Sequence, residues 1–341
     1  MAVPSKNQLC LRYENGFPYK GSPEERLKFL VNFAAMSPSL GRSSPWRFEV
    51  HLDRLVLHLD ASRARRATDP DTRELVISCG MALEHMRLAA RRFRQDMQPN
   101  LLPDGFSGPL AEIGLRVGAP PSKADDELFN AIFDWAKPHQ RFVPKELNAT
   151  GLGNLLRVPE GAWPAFRHQW SLEERMHLAG LIVEGDRLHQ QAEEERLTRI
   201  GQVKRRREDR LRVAKKGKEI LAEKLDEWTS RLFHGGRLIA PARRLAEAKP
   251  SLVVLSTKGD DPADWLETGR LLANTLLRGL IWGVRPSLVN AFMRYPQLRQ
   301  ELAGCLGPGL FPQVVFRLGI SEKSKASAPA VRGGLAFEDY L

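Results

Sequence analysis

The polar segment at residues 37–48, SPSLGRSSPWRF, constrains the fold most strongly, because it separates a predicted helix from a predicted strand. Before it, residues 22–25 supply an N-cap serine, a proline at the first helical position and a glutamate that can close a capping box, so we expect a helix to about Met36. After it, residues 46–51 and 55–60 alternate apolar and polar side chains, which predicts a β-hairpin. The turn between them can present polar groups to a ligand, or it can simply shape a loop.

Helices and strands interleave along the rest of the chain. The pattern predicts helices at about 69–94, 127–135 and 261–282, and strands at 112–118, 251–257 and 312–319. A further capping box at 171–174 opens a long charged helical stretch that ends at Gly235-Gly236. Because the two halves repeat the same scheme, we expect an α+β fold with two related lobes.

We expect the first lobe to span residues 1–120 and the second to span 121–320. The second lobe includes a long basic helical insertion at about 171–234, and a tail at 321–341 follows it. A length of 341 residues is too long for one small core and suits two domains or one large intertwined unit.

Composition excludes several classes of protein. The apolar content is 42%, and no stretch approaches the roughly eighteen apolar residues that cross a bilayer. The first residues lack an apolar signal region, which predicts a cytoplasmic protein. Cys10, Cys79 and Cys305 are too few and too widely spaced for a disulfide framework or a zinc knuckle. No metal site is expected, and His51 and His58 are interpreted as a surface pair.

The net charge of +11 is concentrated in one predicted helix. Residues 204–218 contain nine basic and two acidic residues, a local net of +7, so the other residues together carry +4. This basic helix is either a solvated face, a lid, an arm that binds a protein partner, or a contact to nucleic acid or anionic lipid. Nucleic acid is disfavoured, because no aromatic residue lies between Leu188 and Glu227 to stack on bases.

No self-sufficient catalytic motif is present, so any chemistry is expected to belong to a bound cofactor. Four segments together are similar to the Acg-like branch of the FMN-dependent nitroreductase family. They are residues 37–48, 68–89 (TDPDTRELVISCGMALEHMRLA), 256–284 (STKGDDPADWLETGRLLANTLLRGLIWGV) and 312–319 (PQVVFRLG). The resemblance implies a nitroreductase-like fold in which two lobes of one chain imitate the family's homodimer, as a pseudo-dimer with one FMN between them.

The resemblance also implies which residues contact the flavin. Ser39, Arg42 and Ser44 correspond to the family's ribityl and pyrimidine contacts, with Arg42 in place of asparagine and Ser44 in place of glutamine. The family's R-x-T-x-R phosphate motif corresponds to residues 135–139, where both arginines and the threonine are missing. Lys137 and His139 either substitute for them or lie in a solvated loop. Arg317 is the remaining phosphate candidate.

The implied activity is that of an NAD(P)H oxidoreductase that passes a hydride through FMN to a nitro compound, a quinone or an activated double bond. The alternative is a degenerate member that sequesters flavin, or binds a protein partner through residues 204–218. The residues themselves suggest structural roles elsewhere. Trp46 and Phe48 are expected in the core, Arg73 in an ion pair, and Asp260, Asp261 and Asp264 as helix-capping groups.

Overall fold

The first of two antiparallel sheets lies in the N-terminal part of the chain. In this computed structural model, the residues described are 13, 15–40, 44–63, 71–134, 147, 149–158, 164–210 and 251–320, with the backbone alone over 193–210. Four strands, β1 (Trp46–His51), β2 (Arg54–Leu59), β3 (Gln95–Leu101) and β5 (Ala111–Val117), form a sheet in the order β1-β2-β5-β3, and β4 (Pro103–Phe106) connects β3 to β5. Helix α1 (Pro23–Ala35) precedes the sheet and α2 (Arg73–Arg92) joins β2 to β3.

The second sheet contains strands β6 (Ala165–Arg167), β7 (Ser251–Thr257), β8 (Val284–Leu288) and β9 (Phe311–Ile320), in the order β6-β7-β9-β8. Between the sheets the chain forms α3 (Lys123–Ile132) and α4 (Ala149–Leu155). Helix α5 (Leu172–Arg210) follows β6, α6 (Pro262–Ile281) joins β7 to β8, and α7 (Pro296–Leu306) follows a 3-10 turn at Ala291–Arg294.

The two sheets share one topology. In each, the first, second, fourth and third main strands are neighbours, and a helix of 20 residues joins the second strand to the third. Each of these helices, α2 and α6, is followed after two residues by the next strand. The prediction of an α+β fold with two related lobes is therefore confirmed.

The lobes differ in two connections. Two residues join β1 to β2, whereas the stretch that contains α5 joins β6 to β7, and the connection to the last strand also differs. In the first lobe it is the short strand β4, whereas in the second it is the 3-10 turn and α7. A second apolar cluster, which includes Leu178, Leu252, Phe292, Leu302 and Val315, lies between the outer face of the second sheet and helices α5 and α7.

Helices α2 and α6 cross at two glycines, one in each lobe. Gly80 and Gly269 are each the eighth residue of their helix. A Cβ added to Gly80 would lie 2.1 Å from the carbonyl oxygen of Leu266, and one added to Gly269 would lie 1.9 Å from that of Ile77. Both obstacles are backbone atoms, which cannot move aside cheaply. The lobes therefore pack together with their helix backbones in direct contact, in a nearly two-fold arrangement.

Most predicted elements are confirmed, and the capping boxes explain where helices begin. Ser22 and Glu25 form the reciprocal pair at α1, and Ser171 and Glu174 do so at α5. The prediction for α5 can be followed only to Arg210, since residues 211–250 and 321–341 lie outside the described part of the chain. Trp46 and Phe48 are fully buried, as expected.

Because the two helices cross so closely, we expect that adding one methyl group at a crossing glycine strongly lowers stability. Gly80→Ala is expected to lower the free energy of unfolding by at least about 2 kcal/mol, because the new methyl group must push the two helix backbones apart. Gly180→Ala is the matched control, since that helical glycine has no atom within 4 Å of an added Cβ. It should leave stability unchanged or raise it by about 0.5–1 kcal/mol. Urea unfolding measures both, and equal stability of the two variants would contradict the crossing.

Candidate functional site

The polar turn after α1 is fixed to helix α2. The backbone N–H of Leu40 donates to Ser78 Oγ at 2.9 Å, and Ser78 Oγ donates to the carbonyl of Glu74. The N–H of Ser44, which has a positive φ of 43°, donates to Ser39 Oγ at 3.3 Å. The structure therefore brings Ser39 and Ser44 together, and it holds their turn beside the buried helix that crosses into the second lobe.

Arg317 lies on β9 in the second lobe, half-buried, opposite Leu252 on β7 and Ser287 on β8. Strand alternation places it on the face of Val315, which packs in the outer apolar cluster, whereas Val314 and Phe316 face the central core. Burial lowers the pKa of Arg317 below the ordinary value for a guanidinium. A partly desolvated arginine attracts an anion more strongly than a solvated one.

Three predicted site residues, Arg42, Lys137 and His139, lie outside the described residues. The predicted arrangement of all six residues around a flavin therefore stays a prediction. Within the described part of the chain, no group of three or more His, Cys, Asp or Glu side chains is placed to hold a metal ion. Helices in the same part of the chain are all too short or too polar to cross a membrane.

Buried polar side chains join the lobes at the start of α2. Glu74 accepts hydrogen bonds from Asn290 Nδ2 at 2.7 Å and from Arg294 Nε at 3.0 Å, both in the second lobe. Its neighbour Arg73 donates to the backbone carbonyl of Gln313 at 2.5 Å. This hydrogen bond crosses to the other lobe, and the expected ion pair of Arg73 stays a prediction.

Asp260 is the centre of a second polar network. It accepts two hydrogen bonds from the Arg299 guanidinium, at 2.7 and 2.8 Å, and one each from Trp265 Nε1 and Gln313 Nε2. Gln313 also donates to Thr257 Oγ1 at 2.8 Å. Burial opposes the ionisation of Asp260, but the donors outweigh it and lower its pKa to about 2.

The interpretation of Asp260 as a helix-capping group was wrong. Asp261 is the N-cap of α6, accepting from the backbone N–H groups of Ala263 and Asp264, and Asp264 completes the capping box. Asp260 lies one position too early to reach those N–H groups, so its carboxylate pairs with Arg299 instead. Sequence reasoning missed this pair because α7, which carries Arg299, was not predicted.

An open cleft of about 460 Å³ lies at the surface of the first lobe. Its apolar wall includes Leu59 and Leu110, its polar wall includes Arg47 and His58, and Phe106 borders it. The Phe106 ring forms a T-shaped pair with Trp265 of the second lobe, with 6.2 Å between ring centroids. A volume of this size is within the range of small-molecule sites, which is about 300–1,000 Å³.

The chain is similar to several mycobacterial proteins over most of its length, although no family model matches it. It is 25% identical over 310 residues to the "Putative NAD(P)H nitroreductase Rv3131" of Mycobacterium tuberculosis, an alignment that covers 86% of this chain and 85% of that protein. It is 40% identical over 63 residues, 18% of this chain and 19% of the other, to the "Putative NAD(P)H nitroreductase acg" of the same organism. These similarities confirm the predicted resemblance to the Acg-like nitroreductases.

The chain is also similar to a second M. tuberculosis protein over most of its length and to a solved structure. The M. tuberculosis protein Rv3127 is 24% identical over 338 residues, covering 86% of this chain and 87% of its own. The crystal structure of a nitroreductase-like protein from Anabaena variabilis superposes with a TM-score of 0.40 at 9% identity, covering 94% of this chain and 90% of that one.

The low pKa of Asp260 predicts a pH-dependent contribution to stability. A carboxylate whose pKa is lower in the folded state stabilises the fold fully above its unfolded pKa of about 4, and this contribution is lost as the pH falls through about 2. Asp260→Asn should therefore lower the free energy of unfolding more at pH 5 than at pH 2.5. The difference should be about 1–2 kcal/mol after allowance for partial exposure.

Urea unfolding at the two pH values measures the difference. The matched comparison is Asp260→Asn introduced into an Arg299→Gln background, where the main donor to the carboxylate is already gone. There the cost of Asp260→Asn should change little with pH. A pH dependence of the same size in both backgrounds would show that Arg299 does not hold the pKa down.

Proposed function

We propose that this protein is an FMN-dependent NAD(P)H oxidoreductase of the nitroreductase type. The observation that carries the proposal is the similarity to two proteins named as NAD(P)H nitroreductases, one of them over 86% of the chain. When bound, FMN would supply the redox chemistry, passing a hydride from NAD(P)H to a small electron-poor acceptor such as a nitro compound, a quinone or an activated double bond. A cytoplasmic location is part of the same proposal.

The described part of the turn after α1 is suited to the polar side of a flavin. The N–H groups of Leu40 and Ser44 are already used inside the protein, so they fix the shape of the turn. Ser39 Oγ accepts from Ser44, and its own O–H remains able to donate to a ribityl or pyrimidine atom. We propose that Ser39, Ser44 and Arg42 face this side of FMN.

We propose that Arg317, with Lys137 and His139, meets the phosphate. A phosphate dianion needs cationic donors, and a partly buried guanidinium offers a strong charge-assisted hydrogen bond. Ser287, next to Arg317 across the β8–β9 pairing, adds a neutral donor on an adjacent strand. If the two lobes of the chain form a pseudo-dimer, residues from both lobes can contact one flavin.

A second function of a different class is favoured by one observation from the sequence. Residues 135–139 lack both arginines of the family's phosphate motif. This change is expected in a protein that has lost catalytic activity. Such a protein would keep the fold and either store flavin or bind a partner through residues 204–218. The two functions differ in whether bound flavin accepts electrons from a nicotinamide.

The colour of the purified full-length protein tests the proposal first. We expect absorbance near ~450 nm and release of FMN on denaturation. Anaerobic NADH or NADPH should then bleach the band. A flavin-loaded protein that neither nicotinamide bleaches would favour storage or partner binding, and a colourless protein that takes up no added FMN would contradict flavin binding altogether.

The phosphate assignment predicts a specific loss of affinity. Arg317→Gln is expected to weaken FMN binding about 10-fold or more, because a charge-assisted hydrogen bond is lost. Arg285→Gln is the matched control, since Arg285 belongs to the adjacent strand β8 and its loss changes the net charge equally. Titration of the flavin-free protein with FMN measures both, and equal losses would assign the effect to general charge.

A further inference from the structure

An aromatic ring is exposed at the border of the cleft in the first lobe. Phe106 is 46% exposed although its ring forms a T-shaped pair with Trp265. A single exposed apolar residue is normal at a protein surface, but a ring at the border of a cleft offers a flat apolar surface to a ligand. In the apolar wall of the cleft, Leu59 is half-buried, whereas Leu110 is only 1% exposed. An apolar, flat ligand would therefore cover surface that the fold leaves uncovered.

The equivalent place in the second lobe can be identified from strand register. Gln95 pairs with Val117 at the start of β3, and Val284 pairs with Ile320 at the start of β8. Val117 and Ile320 are therefore equivalent, and Leu110 and Gln313, each seven positions earlier, are equivalent too. The register of the second strand of each sheet makes Leu59 equivalent to Thr257 in the same way.

In the second lobe, polar side chains fill the position that is equivalent to the cleft. Thr257 and Gln313 hydrogen-bond to each other, and Gln313 binds Asp260, which is paired with Arg299 of α7. The first lobe has β4 where the second has α7, and its two equivalent positions are leucines. One of two related places is therefore filled by an ion-paired network, and the other is an open apolar cleft.

The polar wall of the open cleft contains one arginine and one histidine. Arg47 and His58 line it, and no carboxylate belongs to the described residues that line it. Glu49, just outside the lining, pairs with Arg47 Nη1 at 2.5 Å and lies 3.4 Å from His58 Nε2. Burial opposes its ionisation, but the charges of His58 and Arg47 hold the pKa of Glu49 below its ordinary value. One bond to Glu49 leaves other guanidinium N–H groups of Arg47 available to a ligand.

We propose that this cleft binds a planar aromatic anion, with its ring against Phe106 and the leucine wall and its carboxylate at Arg47. The described residues that line the cleft do not include Ser39, Ser44 or Arg317, and binding there does not depend on redox activity. The ligand class follows from the combination of the exposed Phe106 ring, the half-buried Leu59 beside it and the guanidinium N–H groups of Arg47 that do not bond to Glu49.

Calorimetric titration of the full-length protein with 2-naphthoate and its uncharged analogue 2-naphthamide tests the proposal. Neither probe is a redox substrate, so failure here is distinguishable from failure of the proposed function. We expect the carboxylate to bind about 5-fold more tightly than the amide, as for one exposed ion pair. Arg47→Gln should abolish that preference, and Phe106→Ala should weaken both probes about 5- to 10-fold.

Matched controls separate the site from general effects. Arg54→Gln removes a similarly exposed arginine that is paired with Glu112 and lies outside the cleft, and it should preserve the carboxylate preference. Phe311→Ala removes an exposed ring from the second lobe and should leave both affinities unchanged. The proposal is overturned if neither probe binds below roughly 10 mM, if Arg47→Gln keeps the preference, or if either control matches its test variant.

Discussion

The crossing of α2 and α6 at Gly80 and Gly269 is the contact on which the rest of the structure depends. Each helix forms the centre of its own lobe, so the distance between the two helix axes sets the distance between the two sheets. A single methyl group on either glycine would meet a backbone carbonyl of the other helix at about 2 Å. Most interior contacts adjust by moving a side chain, but this one cannot.

The crossing also explains why polar side chains can be buried between the lobes. Glu74 and Arg73 lie six and seven residues before Gly80 on α2, and both reach partners in the second lobe. A buried carboxylate is tolerated only where its donors are held at hydrogen-bonding distance. The fixed helix spacing holds Asn290 and Arg294 at that distance from Glu74. These polar partners differ from one lobe to the other. The backbone arrangement is therefore nearly symmetric, whereas the side chains between the lobes are not.

The sequence predicted an element correctly where the interactions that form it lie within a few residues of one another. Capping boxes and the apolar run of β7 act within a few residues, and these elements were predicted correctly. Strands β3 and β8 were missed because each contains a proline, Pro99 or Pro286, which normally argues against a strand. The pairing of Asp260 with Arg299 was missed because it joins residues 39 positions apart. Gly80 and Gly269 lie within two helices that the sequence predicts, but single-helix patterns cannot show that the two helices meet at these glycines.

The candidate site has the same dependence on long-range contacts. The turn that carries Ser39 and Ser44 could be predicted as a turn, yet its position in space is set by the bond from Leu40 to Ser78. Ser78 lies two residues before Gly80, on the part of α2 that touches the second lobe. Any ligand shared by this turn and the second lobe therefore depends on the glycine crossing for its geometry. A substitution that widens the crossing would displace one half of a composite site from the other without altering any residue that contacts the ligand.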